Sequence, residues 1–244
     1  MLFRSRDNTF SAVYAPYVLE KHALKDGYTQ DDVDNFGEEG LRVAVTEHLT
    51  DKILLRMEKT FSDLFVDTNW SLNQSLAAAA RWSVATTTVN PILDADTATG
   101  AVLGNSGMKA NFAVMRDSAV KAVKNNVNVL ERVKYTSSEI SEAMIASLFG
   151  VEKLYSSTVQ YDSAEYGAAD SIGHVFPNAC FFGYKSANPG PRSASVGYTF
   201  WKEGPNVRAW VDEEADMSNV IEVGANYQPR IVASLAGYLI TTVL

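Results

Sequence analysis

Apolar residues recur along this chain first at helical and later at alternating spacing, and the change divides it. From Thr46 the rhythm is helical. Leu49, Ile53, Met57, Phe61 and the pair Leu64/Phe65 recur at three- and four-residue steps, which places one apolar stripe along about five turns of helix. Thr46 or Thr50 can cap that helix, Glu47 and Asp51 suit the positive end of its dipole, and Lys52, Arg56, Lys59 and Asp63 occupy the opposite face. Residues 69–90 are rich in Ser, Ala and Thr around Trp70 and Trp82, and predict a connection with a few short extended pieces; the alanine run 77–80 is too short to hold a helix alone. Pro91 opens a new segment. Residues 111–115 predict a buried strand, after which Asp117 or Ser118 caps a helix with Val120, Val123 and Val127 inward. Thr136-Ser137-Ser138-Glu139 forms a capping box ahead of the apolar positions Ile140, Met144, Ile145, Leu148 and Phe149, with Gly150 at the C′ position. Residues 151–155 follow as a short strand, giving an α/β region over about 91–156.

Beyond that point the rhythm changes to alternation. Residues 156–173 predict a long loop of small residues. Strands are predicted over 179–185, 195–201 and 207–212, separated by the turns Asn188-Pro189-Gly190-Pro191 and Glu203-Gly204-Pro205-Asn206. Residues 219–228 alternate as a long strand does, and 230–244 are apolar enough to return to the core. The fold class this predicts is α+β, with a helical α/β part inserted between sheet-forming parts.

Residues 1–46 lack either rhythm. Between Lys25 and Gly40 stand Asp26, Asp31, Asp32, Asp34, Glu38 and Glu39, six carboxylates in sixteen residues, which predict an exposed loop or arm. The alternate oxygen ligands and closing glutamate of a calcium-binding EF-hand loop are absent.

Composition narrows the function classes. The chain has 244 residues, of which 46% are hydrophobic, 20% charged and 11% aromatic, which excludes an intrinsically disordered chain. A net charge of −8 argues against holding duplex DNA through phosphate contacts, which need a basic face. A single cysteine, Cys180, excludes an internal disulfide framework and reads as a buried strand residue. The longest apolar stretch, 231–244, falls short of the ~20 residues of a membrane span, and no apolar run follows Arg4 and Arg6 as in a signal peptide, so the sequence predicts a soluble protein made in a cytoplasm.

The inventory for catalysis is thin. His22, His48 and His174 lie in segments with no evident reason to converge. His48 reads as a surface residue and His174 as a packed or rim residue. Gly100, Gly104 and Gly107 have phosphate-loop composition, but Met108 stands where the phosphate-binding lysine belongs. Ser106 lacks the Gly-x-Ser-x-Gly spacing of a nucleophile elbow. No catalytic, cofactor-binding or metal-binding residue is predicted; a serine hydrolase using Ser106 with a histidine is the competing reading from another class.

Several stretches taken together resemble the major capsid proteins of tailed bacteriophages with the Hong Kong 97-type fold. They are LTDKILLRMEKTFSDLFVDTNW (49–70), RWS (81–83), PILDAD (91–96), NFAVM (111–115), NNVNVLERVKYT (125–136) and SSEISEAMIASLFGVEKLYSSTVQYDSA (137–164), and then PRSASVGYTFWKEG (191–204) and DMSNVIEVGANYQPRIVASLAGYLI (216–240). The resemblance runs collinearly from about residue 46 to 244; its force lies in order and spacing.

The resemblance implies a long spine helix over 47–66, a peripheral domain from 46–90 and 195–228, an α/β axial domain from 91–194 and 229–244, and an N-terminal lead and extended loop over 1–45 that overlaps a neighbouring subunit. The loop near 156–173 would line symmetry axes. Residues 17–44, as such an arm, are expected to be removable without unfolding the subunit. The implied function is self-assembly through pentamers and hexamers into an icosahedral head enclosing double-stranded DNA, in a virion assembled in the bacterial host cytoplasm, with portal, scaffold or decoration proteins as partners and no cofactor. An acidic wall repels the duplex it encloses. An encapsulin-like bacterial compartment shell is the alternative on the same fold. Relatives carry more residues ahead of the extended loop, so a short, processed or truncated N-terminus is expected. The family's lysine–asparagine crosslink does not carry over: Lys21 and Lys25 lie in the expected loop, but no local motif marks an acceptor asparagine.

Overall fold

The computed structural model describes residues 18–135, 140–165, 167–190, 193, 195–212 and 218–244. Strand β1 (Glu20–Tyr28) leads through the short helix α1 (Gln30–Phe36) into α2 (Glu38–Ser62), a helix of 25 residues. Leu49 and Ile53 are buried on α2, and Leu41, Val45 and Met57 pack beside them, a spacing of four that keeps one stripe against a sheet. The sheet is antiparallel, ordered β1-β9-β8, with β8 (Gly197–Asp212) and β9 (Ser218–Ile231) as the long pair. Ile221, Val223, Ala225 and Tyr227 alternate along β9 and meet the stripe of α2. The register sets Glu20 opposite Tyr227 and Tyr28 opposite Asn219, so β1 is paired along its whole length.

The second sheet has five strands, ordered β2-β10-β7-β3-β4. Its members are β2 (Asn73–Ser75), β3 (Phe112–Arg116), β4 (Lys153–Ser157), β7 (Ala179–Gly183) and β10 (Gly237–Thr241); β2 and β10 are parallel, as are β3 and β4, and the remaining ladders are antiparallel. On one face lie α3 (Pro91–Ser106), α4 (Asp117–Lys124), α5 (Val127–Val133) and α6 (Glu142–Leu148), closing a core around Trp82, Val102, Met115, Ile145, Phe149 and Phe182. On the other, Phe65, Trp70, Phe176 and Phe181 form an aromatic cluster with ring centroids 4.4–6.1 Å apart. Gly237, opposite Gly183 in the ladder, permits it: a Cβ at Gly237 would stand 2.5 Å from the Phe181 ring and 2.7 Å from Trp70. A small ladder of β5 (Gln160–Asp162) and β6 (Ile172–His174) completes the described strands, and Ser62 at the end of α2 donates to the carbonyl of Val175 just beyond it.

The α+β class holds. Several local expectations change. Residues 25–40 are the end of a strand, a complete short helix and the start of a second, not an aperiodic loop: Thr29 caps α1 through a reciprocal pair with Asp32, and Glu38 and Glu39 sit at the positive end of α2. The long helix therefore begins eight residues before Thr46. Thr46 and Thr50 are not caps; each donates its hydroxyl to a carbonyl one turn back, Arg42 and Thr46, at 2.7 Å. Residues 91–106 form a helix, with Asn90 as its cap and Pro91 at its first turn. Val127 opens a separate helix capped by Asn126. The expected loop 156–173 contains the β5–β6 ladder, and the expected turn at 203–206 is a register shift within a continuous β8. The capping box at 136–139 lies outside the described residues; α6 is capped by Ser141, and Gly150, with φ 69°, follows it as expected. Residues 73–75 pair with β10, Trp82 donates to Asp94 of α3 at 2.8 Å, and Leu76 and Val89 are buried in the core beside it.

Candidate assembly surfaces

The two ends of α2 carry opposite surfaces. At its N-terminal end Val33 of α1 packs inward against the α2–β9 core, whereas Phe36, 75% exposed, stands out among exposed carboxylates. Asp31, Asp34, Glu38 and Glu39 are exposed there, and Asp32 accepts from the backbone and hydroxyl of Thr29, which lowers its pKa. A phenylalanine in that setting contributes little to its own subunit, since it buries little surface.

At the other end of α2 an apolar groove of about 210 Å³ opens between the helix, the aromatic cluster and the base of the β8–β9 pair. Phe61, Phe65, Trp70, Phe112 and Phe181 line it, and Lys185 and Arg230 stand at its edge. Lys185 is held firmly. Asn111 donates to its carbonyl and accepts from its N–H, both at 2.9 Å, and its ammonium donates to the Tyr155 hydroxyl at 2.9 Å. That bond, aided by the charges of Lys185 and Lys153, lowers the pKa of the Tyr155 phenol. The Lys153 ammonium lies 4.6 Å from the Tyr155 ring centroid. Neither lysine forms an ion pair among the described residues, which leaves positive charge at this edge of the groove on a chain of net charge −8.

The β8 margin of the three-stranded sheet is less covered than β9. Trp201, Val207, Trp210 and Val211 are 40–55% exposed, because α2 lies over β9 and β1.

The residues weighed for chemistry remain apart. His22, on β1, packs against Tyr227 with ring centroids 4.9 Å apart and tilted by 39°, with Glu20 at 3.8 Å; His48 is exposed on α2 and His174 exposed on β6. Ser106 ends α3 and gives its hydroxyl to the Val102 carbonyl at 2.7 Å, a helix-end role. Cys180 is fully buried, and burial pushes its thiol pKa well up. Lys21 pairs with Glu222 at 3.4 Å, and Lys25 stands opposite Glu222 in the strand register. Among the described residues no cluster of three histidine, cysteine or carboxylate side chains could hold a metal, and no helix is long and apolar enough to cross a membrane. Sequence reasoning missed Phe36 and the groove. Leu41 and Val45, eight and four residues before Leu49, were the signal that α2 starts before Thr46.

A phage-related protein from Bordetella bronchiseptica RB50 superposes on the chain with a TM-score of 0.80 at 28% identity, over 99% of this chain and 83% of that one. The capsid of cyanophage P-SCSP1u matches with a TM-score of 0.63 at 8% identity, over 99% of this chain and 80% of its own. An encapsulin complex from Synechococcus elongatus PCC 7942 matches with a TM-score of 0.51 at 12% identity, over 92% and 74%. No protein-family model matches the sequence, and no curated protein matches it.

Proposed function

We propose, from the premise that this chain has the Hong Kong 97-type capsid fold of tailed-phage head proteins, that it is a major capsid protein. The observation that carries the reading is the superposition of 99% of the chain on a phage-related protein and on a phage capsid subunit. Its work is contact between copies: heterologous interfaces close into pentamers and hexamers, and these into an icosahedral shell. The location is the virion wall, assembled in the host cytoplasm.

Within this reading α2 and the β1-β9-β8 sheet form the peripheral part, and the five-stranded sheet with α3 to α6 forms the axial part. The pairing of β2 with β10 and the burial of Trp82 support a boundary near Trp70 in place of residue 90. The loop joining β5 to β6 is then the candidate for axis-lining contacts. Double-stranded DNA is enclosed without being held, as a charge of −8 favours, and portal, scaffold or decoration proteins complete the head. A non-catalytic role fits the dispersal of Ser106 and the three histidines.

The encapsulin likeness favours one second reading, a compartment shell with protein cargo. Particles recovered from cells carrying the intact gene neighbourhood separate the two. Nuclease-protected double-stranded DNA of uniform length supports the phage head; particles that hold a co-purifying enzyme and no protected DNA overturn it.

A further inference from the structure

We propose that the acidic α1 tip of one copy docks, through Phe36, into the aromatic groove at the far end of α2 on a second copy. The inference rests on the capsid reading and names one of its interfaces. Three observations carry it.

The first is apolar fit. The groove is floored by Phe65, Trp70 and Phe181, nearly buried in their own subunit, with Phe61 43% exposed at its mouth, around about 210 Å³ of open volume, room for an aromatic ring; Phe36 is an aromatic ring 75% exposed on its own subunit. An exposed aromatic surrounded by charge is the form of an interface anchor, and burying it is the main gain such a contact offers.

The second is charge. Asp31, Asp34, Glu38 and Glu39 are exposed on α1 and the first turn of α2, the corner that carries Phe36, while Lys185 and Arg230 line the groove and Lys153 stands with Lys185 at the Tyr155 ring. Asn111 holds the Lys185 backbone and the Tyr155 hydroxyl accepts from its ammonium, so that charge already has one preferred position when a carboxylate meets it. Opposite potentials orient the encounter, and neither patch can dock on itself.

The third is geometry. α1 adjoins the first turn of α2, and the groove begins at Phe61 in its last turn. A helix of 25 residues is about 37 Å long at ~1.5 Å per residue, so a chain cannot bring its own Phe36 to its own groove. The two halves therefore belong to different copies. Because they are different surfaces, the contact is head-to-tail, which closes into rings when the rotation between copies divides a full turn.

The test uses the full chain. Phe36→Asp buries a charge at the contact and is expected to raise the protein concentration needed for assembly by at least about tenfold, with the far-ultraviolet spectrum and melting temperature unchanged because Phe36 is exposed. Lys185→Glu with Arg230→Glu is expected to do the same, and adding Asp31→Lys with Asp34→Lys to restore assembly. Independently, Phe36→Cys with Thr199→Cys, the latter exposed at the groove edge, is expected to give a ladder of disulfide-linked multimers under mild oxidation, with Cys180 buried and silent. If the unsubstituted chain forms particles and Phe36→Asp forms them at the same concentration, with no ladder from the cysteine pair, this interface is wrong and the capsid reading stands. If the ladder forms but no condition yields closed particles, the interface stands and the capsid reading falls. If neither appears, both fall.

Discussion

The carboxyl of Asp94 shows how one side chain links the connection after Trp70 to the core beside the five-stranded sheet. Trp82, 1% exposed, donates its indole N–H to Asp94, and burial raises the pKa of that carboxyl. A carboxyl whose folded pKa lies above its unfolded value of about 3.9 favours the folded state below that value, and the contribution is lost as pH rises through the folded pKa. Asp94→Asn keeps an acceptor for Trp82 and removes the ionisation. Its melting temperature relative to the parent is therefore expected to rise as pH goes from 4 to 7; a difference that stays flat over that range, measured by calorimetry, contradicts the assignment. Gly237 makes a second test at this scale. Any Cβ there meets Phe181 and Trp70 below contact distance, so Gly237→Ala is expected to cost ~1–3 kcal/mol in chemical denaturation. Neither effect was legible in the sequence, where Asp94 was one of many carboxylates. Residues far apart in sequence create both environments.

At the scale of elements, legibility followed burial on one face. The α2 stripe and the alternation of β9 were readable because each packs a single face against the other, which imposes a clean period. Ile53, 3% exposed at their contact, is expected to cost ~2–5 kcal/mol on truncation to alanine, seen as an earlier unfolding midpoint. β1 was not readable. As an edge strand with little buried surface it shows no alternation, and its carboxylates suggested a loop. Its ladder with β9 and the burial of Tyr28 argue against the expectation that 17–44 is a removable arm. Deleting residues 18–28 is expected to lower the melting temperature of the unassembled subunit; an unchanged melt would restore the arm. α3 was obscured differently: exposed glycines at 100 and 104 interrupt its periodicity, although Asn90 and Pro91 carry a standard helix-start signal.

For the whole molecule, the fold was legible from the order of its pieces more than from any one of them. Collinear resemblance over residues 46–244 anticipated the superposition, whereas the surfaces that would join copies were not legible: exposure at Phe36 and concavity at the groove exist only once α2 holds them apart. The acid excess takes on a direction at this scale. Negative charge gathers at the α1 tip and positive charge at the groove, so a chain of net charge −8 still offers unlike ends to its neighbours. Added salt is accordingly expected to slow the first association of subunits, because it screens exposed charges beyond about 8–10 Å. The most direct test of the central claim is electron microscopy of the purified chain with sedimentation velocity across protein concentration and ionic strength. The capsid account predicts closed particles of megadalton mass in equilibrium with rings of five or six subunits; a species that remains monomeric under every condition would contradict it.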